Sequence, residues 1–262
     1  MLSLKALIFS KKDNMTVEVL KDYHSLSERA ASLLIEQIKK KKDSVLCFAS
    51  GDTPRLTLQM MVEKAKAEAV NYSEIQFIGL DEWVGISPET SGSCSSFFYE
   101  TFLSPLQVPK ENIHLFDAMA ADLQGECFKM DHIIGELGGI DVMVVGIGVN
   151  GHIGFNEPNT PWNLQSHVAQ LHEITRTVGQ KYFEGSTDLT EGITLGFQHL
   201  LDARNLLLMA SGTGKSGIVR AALTEPCSEK IPASVVRRHV QSLILLDAHA
   251  ASSLSPQAPA VE

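Results

Sequence analysis

Three apolar runs in this chain end in glycine-containing polar turns: "VLCFASGDTP" at 45–54, "VMVVGIGVNGHIGFNEP" at 142–158 and "LLLMASGTGKS" at 206–216. A strand with water on one face alternates apolar and polar residues, whereas these runs open apolar without a break. Strands of that kind are buried on both faces, as central strands of parallel sheets are. Parallel neighbours cannot be joined by a tight hairpin, so the chain must cross over, usually through a helix. The polar turns then stand at the carboxyl ends of strands, where open α/β sheets bind their ligands.

The rest of the chain fits that scheme. "HSLSERAASLLIEQIKKKK" carries Leu26, Ala30, Leu33, Leu34 and Ile38 on one helical face and ends in lysines, with Ser25 and Glu28 spaced as a capping box. A helical pattern runs from Leu56 to Ala69; "EIQFIGLDEW" reads as a strand, "SCSSFFYETFL" as a helix and "NIHLF" as a short strand. "DLQGECFKMDHIIGELG" is a helix leading into the strand "IDVMVVGIG". After an irregular stretch at 156–192 come strand "NLLLMAS", helix "KSGIVRAALT" and strand "SLILLDA". No internal repeat and no linker divides them. Residues 1–248 are expected to form one α/β domain, a mostly parallel sheet with helices on both faces, and 249–262, rich in Ala, Ser and Pro, a loose C-terminal tail.

Charge narrows the partners. The 22 Lys and Arg against 31 Asp and Glu give a net charge of −9, which argues against nucleic acid and anionic membranes. Cys47, Cys94, Cys127 and Cys227 form no C-x-x-C pair, so neither a zinc site nor a redox motif is expected. The apolar stretch at the N-terminus is too short for a signal peptide and no run reaches membrane-span length, so a cytoplasmic protein is the expectation.

Four strand ends carry polar chemistry: Ser50-Gly51-Asp52-Thr53, Asp81-Glu82, Asn150-Gly151-His152 with Glu157, and Ser211-Gly212-Thr213-Gly214-Lys215. Each has a bland explanation by itself, since glycines are common in turns, an aspartate can cap a segment and a lone histidine is usually structural. Four at corresponding places on one sheet rim argue for a site. Glycine lets backbone N–H groups approach an anion and a helix N-terminus favours one. The "SGDTP" turn and Lys215 thus read as a phosphate cradle in an otherwise acidic protein. Asp81 ends a buried strand, and burial makes a carboxylate more basic, as abstraction of a proton beside a carbonyl requires. His152 and Glu157 form a second acid/base pair. This division suits a phosphorylated sugar whose ring is opened before a carbon-bound proton is moved.

"SGTGKS" also looks like the end of a nucleotide-binding P-loop, with Asp247 in "LILLD" as a metal-holding partner. The full motif G-x-x-x-x-G-K-[ST] fails, because its first glycine position is Met209.

Taken in order, "SGDTP", "LDEWVG", "GHIGFNEP", "ITLGF" with "LLDA", and "SGTGKS" resemble the glucosamine/galactosamine-6-phosphate isomerase (deaminase) family, whose relatives include 6-phosphogluconolactonase. The likeness runs from about Leu20 to about Ala248, and "NGHIGFNEP", "GITLGF" and "IPAS" bring it nearest to the galactosamine branch. The resemblance implies a Rossmann-like sheet, Asp81 as the base that shuttles a proton between C2 and C1, His152 as the assistant in ring opening and Glu157 as its orienting partner. It implies a phosphate held by the Ser50, Gly51, Asp52 and Thr53 loop, by Lys215, and by Lys181 where glucosamine members carry arginine. Lysine keeps the charge but loses the bidentate fork. No metal or organic cofactor is implied.

Asn150 stands where the glucosamine deaminases have an aspartate. Asparagine orients an imidazole through its carbonyl but cannot stabilise imidazolium as a carboxylate does, so ring opening is expected to lean more on Glu157. His167 and Ala169 replace the basic residues of the allosteric site in hexameric relatives, so that site is expected to be absent. The activity implied is conversion of galactosamine 6-phosphate to tagatose 6-phosphate and ammonia. Glucosamine-6-phosphate deaminase, 6-phosphogluconolactonase and a non-catalytic sugar-phosphate sensor are the alternatives. Asp81, His152 and Glu157 occurring together favour catalysis over sensing, and the oligomeric state, homo-oligomer included, stays open.

Overall fold

A computed structural model describes residues 15–254. Its strands are β1 (Met15–Leu20), β2 (Val45–Phe48), β3 (Gln76–Gly79), β4 (Asp81–Trp83), β5 (Ile113–His114), β6 (Val142–Val145), β7 (His167–Gln170), β8 (Glu191–Thr194), β9 (Asn205–Ala210) and β10 (Ser242–Asp247). Seven of them form a sheet in the order β1-β10-β9-β6-β2-β3-β5, with every pairing parallel. A separate antiparallel sheet runs β4-β8-β7.

The unbroken apolar runs are explained by two cores, one on each face of the large sheet. Val45 and Cys47 of β2 join Met143, Val145, Leu206 and Leu208 on one side, while Leu46 and Phe48 join Val142, Val144, Leu207 and Met209 on the other. Successive residues point to opposite faces, so a strand covered twice has no position for a polar side chain. On the second face Phe48 stacks on Phe77 with centroids 5.6 Å apart, and Phe98 meets Phe77 edge-on at 5.0 Å.

Eight α-helical segments cover these faces: α1 (Tyr23–Lys40), α2 (Asp52–Ala67), α3 (Cys94–Phe98), α4 (Ser104–Leu106), α5 (Leu123–Glu136), α6 (Glu173–Gly179), α7 (Phe197–Asp202) and α8 (Ser216–Thr224). The predicted capping box at Ser25 and Glu28 is replaced by a cap three residues earlier. Asp22 is the N-cap of α1 and its carboxylate accepts from the Ser25 N–H at 2.8 Å. A π-helical turn, Tyr99–Leu103, joins α3 to α4, so the predicted 93–103 helix extends to Leu106.

Other expectations are corrected by tertiary pairing. The single strand predicted at 74–83 splits at Leu80: β3 stays in the large sheet, and Asp81–Trp83 turns away to pair with β8. β1 is an addition to the predicted strands; among the described residues it is an edge strand paired with β10. The irregular stretch contains β7 and α6, both too short to leave a periodic signal. The tail is not loose where it is described, for Ala250 is fully buried and Leu254 packs on the core. The expectations for the N-terminal apolar stretch and for 255–262 lie outside the described residues. Among the described residues no helix is long and apolar enough to cross a membrane.

Asp247, the false P-loop partner, has a structural duty. Its carboxylate, 2 % exposed, accepts from the Ser211 hydroxyl at 2.7 Å, the Gly212 N–H at 3.1 Å and the Ala250 N–H at 2.7 Å. It ties the loop after β9 to the chain's return after β10. Asp247→Ala strands these donors and is expected to destabilise the protein by about 2–4 kcal/mol, measured as a lower urea midpoint with unchanged slope.

Candidate active site

Strands β9, β6, β2 and β3 are consecutive neighbours running the same way, so the turns that follow them open side by side. They enclose a cleft of about 370 Å³ whose lining includes Ser50, Asp81, His152, Lys181 and Lys215. Gly51, Asp52 and Thr53 line it as well, whereas Asn150 and Glu157 stand behind His152.

Asp81 and Glu82 are neighbours on β4, and strand alternation sends their carboxylates to different surroundings. Glu82 accepts four hydrogen bonds: from the N–H groups of Trp83 (2.9 Å), Cys94 (2.9 Å) and Ser95 (2.7 Å), and from the Ser95 hydroxyl (2.7 Å). Asp81 is 9 % exposed and has one weak donor, the Cys94 thiol, with Sγ 3.7 Å from Oδ1. Burial, reinforced by the charge of Glu82, pushes its pKa up to about 7, and the thiol contact only partly opposes this. The chain therefore holds a buried carboxylate that can take a proton near neutral pH.

His152 is fixed by a relay. Its Nδ1 lies 2.6 Å from Asn150 Oδ1, and Asn150 Nδ2 donates to Glu157 Oε2 at 2.8 Å. Since the amide nitrogen faces the carboxylate, the carbonyl faces the ring, so Nδ1 carries the hydrogen and Nε2 keeps its lone pair. Thr175 Oγ1 is 3.1 Å from the same Nδ1. Glu157 is anchored through Oε1 by the His172 N–H at 3.1 Å. Desolvation pulls the imidazole below its ordinary pKa, with Glu157 opposing and Lys215 and His172 assisting. His152 Nδ1 and Glu157 Oε2 are 3.7 Å apart, and Asn150 hydrogen-bonds to both, so the two expected partners are brought together with the amide between them. The ring fits only because residue 148 is glycine, where a Cβ would lie 2.2 Å from imidazole Cε1.

The cationic end differs from expectation at Asp52 and Ser50. Asp52 Oδ2 is 2.5 Å from Lys181 Nζ, so its carboxylate meets a lysine and offers an anion nothing directly. The Ser50 hydroxyl donates to Cys94 Sγ at 3.0 Å. Lys215 Nζ donates to the Ile147 carbonyl at 2.7 Å; burial, helped by Lys181 and opposed by Asp52, brings its pKa down to about 8. Gly51, with φ of +110°, is the N-cap of α2 and makes no side-chain cap bond to it, and the first residues of that helix, Asp52 and Thr53, line the cleft. Sequence reasoning missed Cys94, Thr175, Tyr182 and Arg55, whose guanidinium lies 4.7 Å over Phe97 in the cleft wall. Only Arg55 left a signal, as a cation directly after the "SGDTP" turn.

Residues 21–245 match the family described as glucosamine-6-phosphate isomerases/6-phosphogluconolactonase. A glucosamine-6-phosphate deaminase of Bacillus velezensis is 37 % identical over 90 % of this chain and 99 % of its own, and one of Shouchella clausii is 35 % identical over 93 % and 99 %. Among solved structures, a monomeric glucosamine-6-phosphate deaminase superposes with a TM-score of 0.88 at 33 % identity, covering 90 % of this chain and 99 % of its own. The 6-phosphogluconolactonase of Thermotoga maritima shares the fold, with a TM-score of 0.71 at 18 % identity over 89 % of this chain and 99 % of its own.

A carboxylate whose pKa is raised by folding costs stability once the unfolded chain would have ionised. For Asp81 that cost is absent below about pH 4, grows as pH rises, and is complete above about 7. Asp81→Asn is therefore expected to stabilise the protein by roughly 2–4 kcal/mol at pH 8 and to have little effect at pH 4, read from urea unfolding at the two values.

Proposed function

Because the chain belongs to the family of glucosamine-6-phosphate isomerases and 6-phosphogluconolactonases, we propose that it converts a 2-amino-2-deoxyhexose 6-phosphate and water into the 2-ketose 6-phosphate and ammonia. The observation that carries this is the pairing, in one cleft, of a donor-poor buried carboxylate with a neutral imidazole whose Nε2 is unengaged. Hydrolysis of a lactone needs no proton removed from carbon, whereas isomerisation does, and Asp81 has the basicity for that step.

In this mechanism the sugar phosphate sits against the N-terminus of α2, with Lys215 and Lys181 supplying the charge. His152 Nε2 takes the proton of the anomeric hydroxyl and delivers it to the ring oxygen O5 as the C1–O5 bond breaks, leaving the C1 aldehyde and the O5 hydroxyl. The positive charge that passes briefly onto the imidazole is stabilised at a distance by Glu157, while Asn150 stays a neutral spacer that holds the Nδ1 hydrogen. Asp81 then removes the proton from C2, giving an enolamine, and returns it to C1. The resulting C2 imine adds water and loses ammonia.

The likeness of Asn150, "GITLGF" and "IPAS" to the galactosamine branch favours galactosamine 6-phosphate as substrate and tagatose 6-phosphate as product. The names of the 35 % and 37 % identical relatives favour the C4 epimer, glucosamine 6-phosphate. Ammonia release measured on both sugars side by side is the test. A higher kcat/KM for the galacto sugar is expected; a gluco preference would overturn the epimer and keep the reaction class, and release from neither would overturn both. Asp81→Asn should lower turnover by about 10²- to 10⁴-fold with KM little changed. The kcat/KM profile should rise through about pH 7 as Asp81 ionises and fall above about 8 as Lys215 loses its charge. A Lys215→Met variant should be weak throughout and lack the alkaline limb.

A further inference from the structure

The hydrogen bonds around Asp81 form a short chain that the reaction scheme above does not use. Ser50, on the turn after β2, donates to Cys94 Sγ at 3.0 Å, and the Cys94 thiol reaches Asp81 Oδ1 at 3.7 Å. Cys94 is 3 % exposed, opens α3, and is held by its own N–H on Glu82 Oε1 at 2.9 Å. Its place is therefore set by the neighbouring carboxylate and by the helix start. Asp81 Oδ2 has no hydrogen-bond partner among the described residues and lies at Gly154, where a Cβ would sit 3.2 Å from it.

We propose that Cys94 is the positioning residue of the proton-transferring base: its thiol holds one oxygen of Asp81 through a weak bond, leaving the other free for the sugar and the carboxylate basic. The inference rests on the function proposed for Asp81. A thiol donates poorly compared with a hydroxyl, and hydrogen bonds to the charged form of a carboxylate lower its pKa. A serine here that closes on Asp81 to hydroxyl hydrogen-bond distance would hold it with a stronger donor and so weaken it as a base. An alanine would leave it basic and unaimed. The thiol is itself kept protonated, since burial and the charges of Glu82 and Asp81 raise its pKa well above the usual value. Beside Asp81 stand Glu82 on its own strand and the buried Cys47 thiol of β2, and the cleft it opens on is lined by His152, Lys181, Lys215, Asp52, Arg55, Glu100 and Tyr182.

The test compares the full chain with Cys94→Ser and Cys94→Ala. Two readouts are taken: the pH profile of ammonia release, and the carboxyl-carbon NMR titration of Asp81 without sugar, assigned by its loss in Asp81→Asn. Cys94→Ser should move the acid limb and the titration down by about half a pH unit or more, with a lower plateau kcat. Cys94→Ala should move both up and lower the plateau through lost aim, by about tenfold. KM should stay within about twofold in both. Opposite shifts from two small substitutions are not what a merely structural cysteine gives. Titrations that stay still, or that shift together, overturn the proposal. Serine differs from cysteine by one atom and carries the test if the alanine variant does not fold. The titration needs no substrate, so a wild type that releases no ammonia would remove the proposed function and leave the result for Cys94 legible.

Discussion

The four hydrogen bonds accepted by Glu82 organise the site more than any contact made by the proposed base. Three of them, from Cys94 and Ser95, bind the start of α3 to β4 and put those two residues where they are. A buried carboxylate is tolerated when donors surround it. Satisfied in this way, Glu82 remains a fixed negative charge one residue from Asp81, and that charge adds to desolvation in raising the pKa of Asp81. Adjacent positions on one strand so perform opposite tasks: one carboxylate is saturated and structural, the other is nearly bare and basic.

The same logic governs the loop after β6. A direct carboxylate beside His152 would favour imidazolium; a neutral amide between ring and carboxylate fixes the tautomer without forcing the charge. Glu157 then matters as the group that decides which way the Asn150 amide points. Gly148 is part of the device, since its missing side chain is the space the imidazole occupies.

At the other end of the cleft the cations are partly spoken for. Lys181 is paired with Asp52, and both side chains are half exposed or more, so the pair is a weak one that an incoming phosphate can replace. Lys215 is the more desolvated of the two lysines and is held on a backbone carbonyl, which presents its charge without neutralising it. The anion site proposed for this net-acidic protein rests in this way on the local placement of two lysines and a helix start.

The α/β architecture, the parallel sheet and the rim on which the polar turns gather were legible in the sequence, because unbroken apolar runs and the turns behind them are local patterns with one physical solution. Asp81, His152 and Lys215 were legible for the same reason, each standing directly behind such a run. What the sequence could not determine was the direction in which polar groups point. That Glu82 is satisfied while Asp81 is bare follows from where α3 lands. The placing of Asn150 between His152 and Glu157 follows from how the loop closes, the pairing of Asp52 with Lys181 follows from the chain folding back over a separation of 129 residues, and Cys94 joins Ser50 to Asp81 over separations of 44 and 13. Hydrogen bonds are short-ranged and directional, so their partners are chosen only after the sheet has brought distant segments within about 3 Å of one another, and no local pattern in the chain records that choice.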